Sequence, residues 1–305
     1  FMARISVLTL AQSKIEQYLS DLDKNVFLET DLKSIFNRNK KKWDLTYSTT
    51  FEKFVNHLLK RSYLSFIEIP EFNKTIYIWK ENTLTDEAVY EVALAIKPRS
   101  YISHYSAMFL LNLTEQIPKT IYVTYDRESP INKRKNLGLL QESIDCAFSK
   151  EKKKPRVVAS FKGYDIVLIS GTDSKKTGVT NIKLFNGITI QVTNIARTLI
   201  DIVVRPELSG DVTEIAKAYS LAKNQVQIKQ LKTYIKSKDY IYPYEQVVGF
   251  LMEHVGYDAD KVEEIHGMCK NIFSFYLGRN IKNPLFSEKW KIYYPKLLDN
   301  ASIDD

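Results

Sequence analysis

Side chains that can bind nucleic acid are concentrated between residues 38 and 60. Over residues 46–64, apolar side chains recur at helical spacing and polar side chains fall on the opposite face. This polar face and the segment before it carry Tyr47, Ser48, Thr49, Thr50, Lys53, Asn56, His57 and Lys60. Hydroxyl and amide groups can read base edges, and cations bind phosphates. The pattern predicts a polyanion-binding surface, and a merely solvated helix face is the alternative.

Positive charge directly upstream supports the binding interpretation. Four cations precede the helix: Arg38, Lys40, Lys41 and Lys42. We expect them to contact phosphates, because a basic patch is the electrostatic signature of a nucleic-acid-binding domain. No second histidine or carboxylate pattern accompanies His57, so we expect a solvated position or a phosphate contact for it rather than a role as metal ligand or base.

Two further helices and a hairpin would position this surface. Helical spacing recurs in residues 13–23 and 27–39, and Ser48 or Thr49 could cap the third helix. Alternating strands at 65–72 and 75–80 flank a turn that contains Lys74. Three helices and a hairpin follow the order of a winged helix-turn-helix, in which the third helix enters the major groove and the hairpin touches the DNA backbone. We therefore predict a DNA-binding domain over residues 1–82, with Lys74 as a backbone contact.

Residues 83–305 predict a mixed α/β domain that becomes helical from about residue 223. Helical segments and β-branched strands alternate in its first half, where the strand Ile188–Val192 runs into a helix for which Thr193 is the expected N-cap. The predicted fold class of the whole chain is α+β, a winged helix-turn-helix followed by this mixed domain.

The helix after Thr193 carries two opposite charges at helical spacing. Arg197 and Asp201 lie four residues apart and can pair across one turn. Downstream, Asp211 and Glu214 have the spacing of a capping box for the next helix. These features predict a structural corner, with a direct functional role for the ion pair as the alternative.

The charge balance favours polyanionic partners. The formal net charge is +8, and basic residues dominate the segments Arg127–Lys162 and Lys223–Lys238. A second nucleic-acid surface is one interpretation of the first segment. An exposed loop at residues 149–155 is the simpler one.

The two cysteines and the length of the apolar runs indicate the cellular compartment of the protein. Cys146 and Cys269 are far apart and lack metal-ligand spacing, so neither a disulfide framework nor a cysteine zinc site is expected. No apolar run approaches the roughly 18 residues of a membrane span. We expect a cytoplasmic protein with no membrane partner, whose natural start is Met2.

Catalytic patterns are absent from the sequence. A metal-dependent nuclease would need clustered carboxylates with a lysine, and none is found. His104 lies between two serines but lacks a nucleophile elbow, and residues 171–178 lack the spacing of a phosphate-binding loop. We therefore expect no catalytic residues, no metal, no cofactor and no enzymatic activity.

Two segments together resemble the AbiEi-type antitoxins and regulators of bacterial type IV toxin-antitoxin and abortive-infection systems. The resemblance covers most of residues 5–223. It is carried by Ser106-Ala107, Leu113-Thr114-Glu115-Gln116, Pro118, Arg197-Thr198-Leu199, Asp201, Arg205-Pro206 and Gly210.

The resemblance implies a phage-defence protein that binds inverted repeats in its own promoter and represses transcription. It further implies that the C-terminal region counters a cognate nucleotidyltransferase-like toxin without forming a stable complex. The two basic segments would be compatible with RNA as a second target. The alternative is a winged-helix transcription factor without a toxin, whose C-terminal domain dimerises or senses a ligand. A downstream gene for a nucleotidyltransferase-like protein would distinguish the two.

Overall fold

The computed structural model describes residues 5–22, 24–126, 139–153, 155–171, 176–238, 240–269 and 273–300. Helices and strands are mixed, with three sheets in the described residues, so the predicted α+β class is confirmed. The chain forms two compact units. The first consists of Phe1–Pro98, Val157–Ile166 and Lys183–Ile190, and the second of Arg99–Arg156, Val167–Ile182 and Gln191–Asp305.

The N-terminal part of the first unit contains helices and a small sheet. In chain order its elements are α1 (Val7–Leu10), α2 (Gln12–Ser20), β1 (Val26–Leu28), α3 (Glu29–Asn39), α4 (Phe51–Lys60), β2 (Leu64–Ile69), β3 (Lys74–Trp79) and α5 (Ala88–Ile96). The three predicted helices and the hairpin are confirmed as elements.

Aromatic rings fill the core between helices α3 and α4. Phe54 of α4 is fully buried, and its ring stacks on that of Trp43 with centroids 5.6 Å apart. Phe36 of α3 lies 5.1 Å from Phe54. Because Val55 and Leu58 are buried on the same side, the opposite face of α4 is left to its polar residues.

The small sheet has the order β1-β3-β2, with antiparallel pairing throughout. Residues 27 and 28 were predicted as the start of a helix, and this is wrong: they belong to β1, where Phe27 pairs with Tyr77 and Leu28 with Ile76. Helix α3 begins only at Glu29. This short apolar run forms a strand because its partners in register, Tyr77 and Ile76, are aromatic or apolar.

Helix α5 extends the first unit beyond residue 82, the boundary that the sequence predicts. It packs on β1 and β3, where Ile76 and Ile78 are fully buried. The segment before α5 also holds two later parts of the chain. Lys162 donates to the Leu84 main-chain oxygen, and the Glu87 carboxylate accepts from the main-chain nitrogens of residues 185 and 186, at 3.1 and 2.8 Å. The first unit is therefore discontinuous in sequence.

The elements that follow α5 alternate between strands and helices and then become mainly helical. They are β4 (Ser100–Ile102), α6 (His104–Leu110), β5 (Thr120–Asp126), α7 (Gln141–Phe148), β6 (Val157–Phe161), β7 (Tyr164–Gly171), β8 (Val179–Lys183), β9 (Thr189–Thr193), α8 (Ile195–Val204), α9 (Val212–Ala222), α10 (Ile228–Lys238), α11 (Tyr244–His254), α12 (Ala259–His266), β10 (Phe275–Tyr276), β11 (Leu285–Ser287), β12 (Ile292–Tyr294) and α13 (Leu297–Asn300).

A six-stranded sheet has the order β6-β7-β5-β4-β9-β8. Strand β4 is antiparallel to β5 and parallel to β9. Helix α8 follows β9 directly and is buried along nearly its whole length. Its N-cap is Asn194, which accepts from the Arg197 main-chain nitrogen, and the predicted cap Thr193 instead contacts the Thr198 hydroxyl at 2.8 Å.

A three-stranded sheet near the C-terminus has the order β10-β12-β11. It packs on α11, where Gly249 faces the Trp290 ring so closely that a Cβ atom would lie 2.0 Å from it. Gln246 donates to the main-chain oxygens of Phe273 and Trp290, at 3.1 and 2.7 Å. These contacts fix the sheet to the helical core of the second unit.

Basic residues expected in an exposed loop are partly engaged. The Lys152 ammonium lies 3.2 Å from the Glu207 carboxylate, so this lysine belongs to an ion pair rather than to a free loop. Of the basic segment Arg127–Lys162, residues 127–138 and 154 lie outside the described residues.

Among the described helices, none has the length and apolar character that a bilayer crossing needs.

Candidate nucleic-acid interface

The N-cap of helix α4 is neither of the two predicted residues, Ser48 and Thr49, but the residue after them. Its N-cap is Thr50, whose hydroxyl accepts from the Lys53 main-chain nitrogen at 3.3 Å. Thr49 is buried, and its hydroxyl lies 3.0 Å from that of Thr46. Of these predicted contact residues, Thr50 is therefore exposed to a ligand, whereas Thr49 serves the fold of the preceding loop.

Lys40 organises the loop that leads into α4. Its ammonium donates to the main-chain oxygens of Tyr47 and Thr49, at 3.0 and 2.7 Å. It also lies 5.5 Å from the ring centroids of Phe36 and Tyr47. The Lys53 ammonium donates to the Ser48 main-chain oxygen at 3.1 Å. Predicted as a phosphate contact, Lys40 instead holds the loop in one conformation.

The remaining predicted residues form an exposed polar surface around this loop, which we call the α4 face. Its members are Arg38, Lys41, Lys42, Tyr47, Ser48, Thr50, Lys53, Asn56 and Lys60. The Tyr47 side chain is 99% exposed. Arg38, Lys41, Lys42 and Lys60 form no salt bridge within the described part of the chain, so their charges are available to a polyanion.

His57 is half-buried rather than solvated. Its Nε2 atom is shielded from solvent and has no hydrogen-bond partner among the described residues. Burial, together with the nearby Arg61 guanidinium, lowers the pKa of His57. The imidazole is therefore neutral at neutral pH and supplies no charge to a phosphate.

The hairpin β2–β3 does not present the expected cation. The Lys74 ammonium donates to the Ile96 main-chain oxygen at 2.9 Å, and burial, with Lys97 nearby, lowers its pKa. Two carboxylates, Glu68 and Glu71, are exposed on the hairpin instead. Lys74 is thus held by a bond within the first unit, and its contact with the DNA backbone stays a prediction.

His104 lies in a buried hydroxyl network of the second unit. Its Nδ1 atom is 2.9 Å from the Ser103 hydroxyl, which is 2.7 Å from the Thr124 hydroxyl. Burial lowers the pKa of His104 to about 4. Its φ of 52° is left-handed, an uncommon conformation for a residue with a Cβ atom.

Within the described residues, no group of three or more His, Cys, Asp or Glu is placed to hold a metal ion.

The two segments that carry the family resemblance are joined inside the second unit. The Glu214 carboxylate accepts from the Thr114 hydroxyl at 2.8 Å and from the Gln116 side-chain amide at 2.9 Å. Asp211 caps α9 as predicted, but these contacts replace the return bond of a capping box. Arg197 and Asp201 form the predicted ion pair at 2.7 Å, and it is buried.

Comparisons with known proteins show the fold alone. No family model matches the chain, and no curated protein matches it. The crystal structure of the RV2827C protein from Mycobacterium tuberculosis is similar, with a TM-score of 0.63 at 11% sequence identity. The similarity covers 95% of this chain and 92% of that one.

Proposed function

We propose that the first unit binds duplex DNA through the α4 face and that the protein represses transcription from its own promoter. The observation that carries the proposal is the loop before α4. Lys40 holds its main chain by two hydrogen bonds, while the side chains of Tyr47 and Ser48 project beyond it. A pre-ordered polar loop loses little conformational entropy when it binds.

The order of elements supports a winged helix-turn-helix arrangement. Helices α2, α3 and α4 are followed by the hairpin β2–β3, and β1 joins this hairpin as a third strand. In helix-turn-helix proteins the recognition helix places its N-terminal residues against base edges in the major groove. In this chain those residues are Thr50 and Lys53, with Asn56 and Lys60 further along the exposed side.

Phosphate contacts are assigned to the cations beside the recognition helix. Arg38, Lys41 and Lys42 are exposed at the end of α3 and in the loop after it. Their charges give affinity without sequence specificity, whereas hydroxyls and amides on α4 give specificity. The acidic hairpin contributes neither, so the proposal rests on α4 and the residues before it.

The antitoxin role is proposed for the second unit on the strength of the resemblance to AbiEi-type proteins. The two resembling segments share one folded unit, because Glu214 binds both Thr114 and Gln116. The motif residues of the two segments thus contact each other in the folded chain, which supports treating them as one motif. In this proposal the second unit counters a nucleotidyltransferase-like toxin without a stable complex, acting in the cytoplasm in phage defence.

Promoter binding is the decisive experiment. Purified full-length protein should retard DNA from the region upstream of its own gene more strongly than a scrambled duplex of equal length at moderate salt. Replacing Lys41 and Lys42 together by alanine should weaken the retardation of both duplexes, whereas the same change at Lys229 and Lys236 of α10 should not. Equal retardation of both duplexes by the wild-type protein would refute the proposal.

The toxin relationship is tested with full-length variants rather than fragments, since a cut near residue 83 would divide the first unit. Co-expression with the product of a neighbouring nucleotidyltransferase-like gene should restore growth, and the variant with alanine at Lys41 and Lys42 should restore it equally well. Loss of rescue in that variant would show that DNA binding and antitoxicity share one surface. Absence of rescue by the wild type would favour a regulator without a toxin.

A further inference from the structure

Four aromatic rings form a continuous row across the C-terminal sheet. Tyr276 of β10, Tyr293 of β12 and Phe286 of β11 are direct neighbours in register on the three strands. Ring centroids are 5.0 Å apart for Tyr276 and Tyr293, and 4.6 Å apart for Tyr293 and Phe286. Phe148 of α7 continues the row, 5.7 Å from Tyr276 and nearly parallel to it. We call these four residues the aromatic row.

The two ends of the aromatic row differ. Phe148 is buried, and the Arg279 guanidinium lies 4.5 Å from its ring centroid, so this end is closed. Phe286 lies on the edge strand β11, is half-buried, and has Tyr293 as its single ring neighbour within the described residues. The Lys291 ammonium is 5.8 Å from the Phe286 ring centroid. The row is therefore open at an aromatic face beside a cation.

The chain around the open end is basic. Residues 273–298 contain five cationic side chains and one carboxylate. Lys291 pairs with that carboxylate, Glu288, at 2.8 Å. Lys282, before β11, and Lys296, after β12, are exposed and form no salt bridge among the described residues. The Tyr293 hydroxyl likewise has no hydrogen-bond partner in the described part of the chain.

Cross-strand aromatic pairs stabilise small sheets, which accounts for the contact between Tyr276 and Tyr293. It does not account for an edge ring left half-exposed among unpaired cations. Aromatic faces combined with positive charge are the means by which proteins bind unpaired nucleotides, since every base offers a π face and every linkage a phosphate. Paired bases are already stacked on both sides, so a duplex could not use the row.

We propose that the open end of the aromatic row binds single-stranded nucleic acid. An unpaired base stacks on Phe286 and extends the row, while Lys282, Lys291 and Lys296 bind the adjoining phosphates. The site lies in the second unit and is independent of the proposed duplex binding by α4. RNA and single-stranded DNA share this chemistry, and the 2′-hydroxyl distinguishes them.

Fluorescence anisotropy with short labelled oligouridylate and oligothymidylate tests the proposal on the full-length protein. Phe286→Leu keeps an apolar side chain but removes the aromatic face, and it should weaken binding by about 5-fold to 150-fold, the range for one stacked base. Phe185→Leu is the matched control, because Phe185 is fully exposed in the first unit and outside the row. Comparison of the two oligonucleotides shows which sugar is preferred.

A charge variant keeps the test decisive if Phe286→Leu does not fold. Lys282→Ala combined with Lys296→Ala should lower the slope of log affinity against log salt by about 1.4, or about 0.7 per lost phosphate contact on a single strand. Lys33→Ala with Lys183→Ala is the control and should leave the slope unchanged, because both lysines are exposed and lie outside the basic segments, the α4 face and the aromatic row.

The proposal is overturned if the wild type does not bind either oligonucleotide, if both Phe variants bind equally well, or if the two lysine pairs behave alike. Promoter duplex binding serves as the readout that separates this site from α4. It should be the same in Phe286→Leu and in the wild type.

Discussion

Lys40 and Thr49 are joined by a hydrogen bond of 2.7 Å, from the ammonium group to the main-chain oxygen, across nine residues of sequence. The contact makes Lys40 part of the loop's structure. Although Lys40 lies in a basic run, its role therefore differs from that of its neighbours Lys41 and Lys42, which are exposed.

The first prediction separates these roles. Lys40→Met should weaken promoter binding because the loop before α4 loses its two main-chain bonds, but the salt dependence of affinity should not change. Lys41→Ala with Lys42→Ala should instead lower the slope of log affinity against log salt by about 1.8, at about 0.9 per phosphate contact. Binding isotherms at several salt concentrations measure both. A reduced slope in Lys40→Met would show that this ammonium reaches phosphate.

The second prediction concerns the acidic hairpin. Glu71→Lys should raise affinity for promoter and scrambled duplexes alike, because it replaces a repelled charge by one that can contact the DNA backbone. Glu288→Lys, in the second unit, has the same charge change and should leave duplex affinity unaltered. If both variants bind more tightly to the same extent, net charge rather than the hairpin is responsible.

The third prediction concerns specificity. Asn56→Ala should reduce discrimination between promoter and scrambled DNA by about 1–3 kcal/mol, the value of one good base contact. Asn224→Ala is an exposed control outside the α4 face. Competition titrations with both duplexes give the discrimination directly, and an unchanged ratio in Asn56→Ala would place the base contacts elsewhere.

Thr50 should be tested as Thr50→Ser. The variant Thr50→Ala would also remove the N-cap of α4, at a cost of about 0.5–2 kcal/mol in helix stability.

The fourth prediction concerns pH and His104. Its folded-state pKa of about 4 lies below the ordinary value of 6.5, because the imidazole is buried. The unfolded chain therefore binds the proton more readily, and stability that is complete above pH 6.5 is lost as the pH falls toward 4. The loss is about 3 kcal/mol at the low end.

His104→Asn tests this directly, since asparagine tolerates the left-handed backbone. Urea unfolding of the wild type and the variant at a series of pH values should show a steeper acid loss in the wild type. The groups whose charges act on His104 are Asp201, Arg205, Arg197 and Glu207, and they are unchanged in the variant. Parallel pH profiles would mean that His104 is not the group responsible.

Local pattern was sufficient to predict much of the first unit. The spacing of Phe54, Val55 and Leu58 predicts α4, and the alternation around Asn73 predicts the hairpin. Errors of one residue occurred where adjacent side chains are all competent caps, as at Thr49 and Thr50. The strand β1 was missed because its last residue, Leu28, lies at helical spacing from Leu32 and Ile35 of α3.

Long-range contacts could not be predicted from local pattern. Neither the bond from Lys74 to Ile96 nor the burial of the hairpin by α5 leaves a signal near residue 74. The same holds for Lys40, whose composition-based role as a phosphate contact fits its sequence but not its hydrogen bonds. Charge patterns predict where a polyanion could bind, and only the packing decides which of the cations remain available.

The discontinuity of the first unit has a consequence for biosynthesis. Its last segment is Lys183–Ile190, and Glu87 binds the main chain of residues 185 and 186. Because a ribosome releases the chain from its N-terminus, the α4 face can emerge early, but the unit around it cannot be completed until the later segments have left the exit tunnel. A nascent chain arrested before residue 183 should thus lack a complete first unit, so the DNA binding that we propose for this unit would be fully established only late in translation.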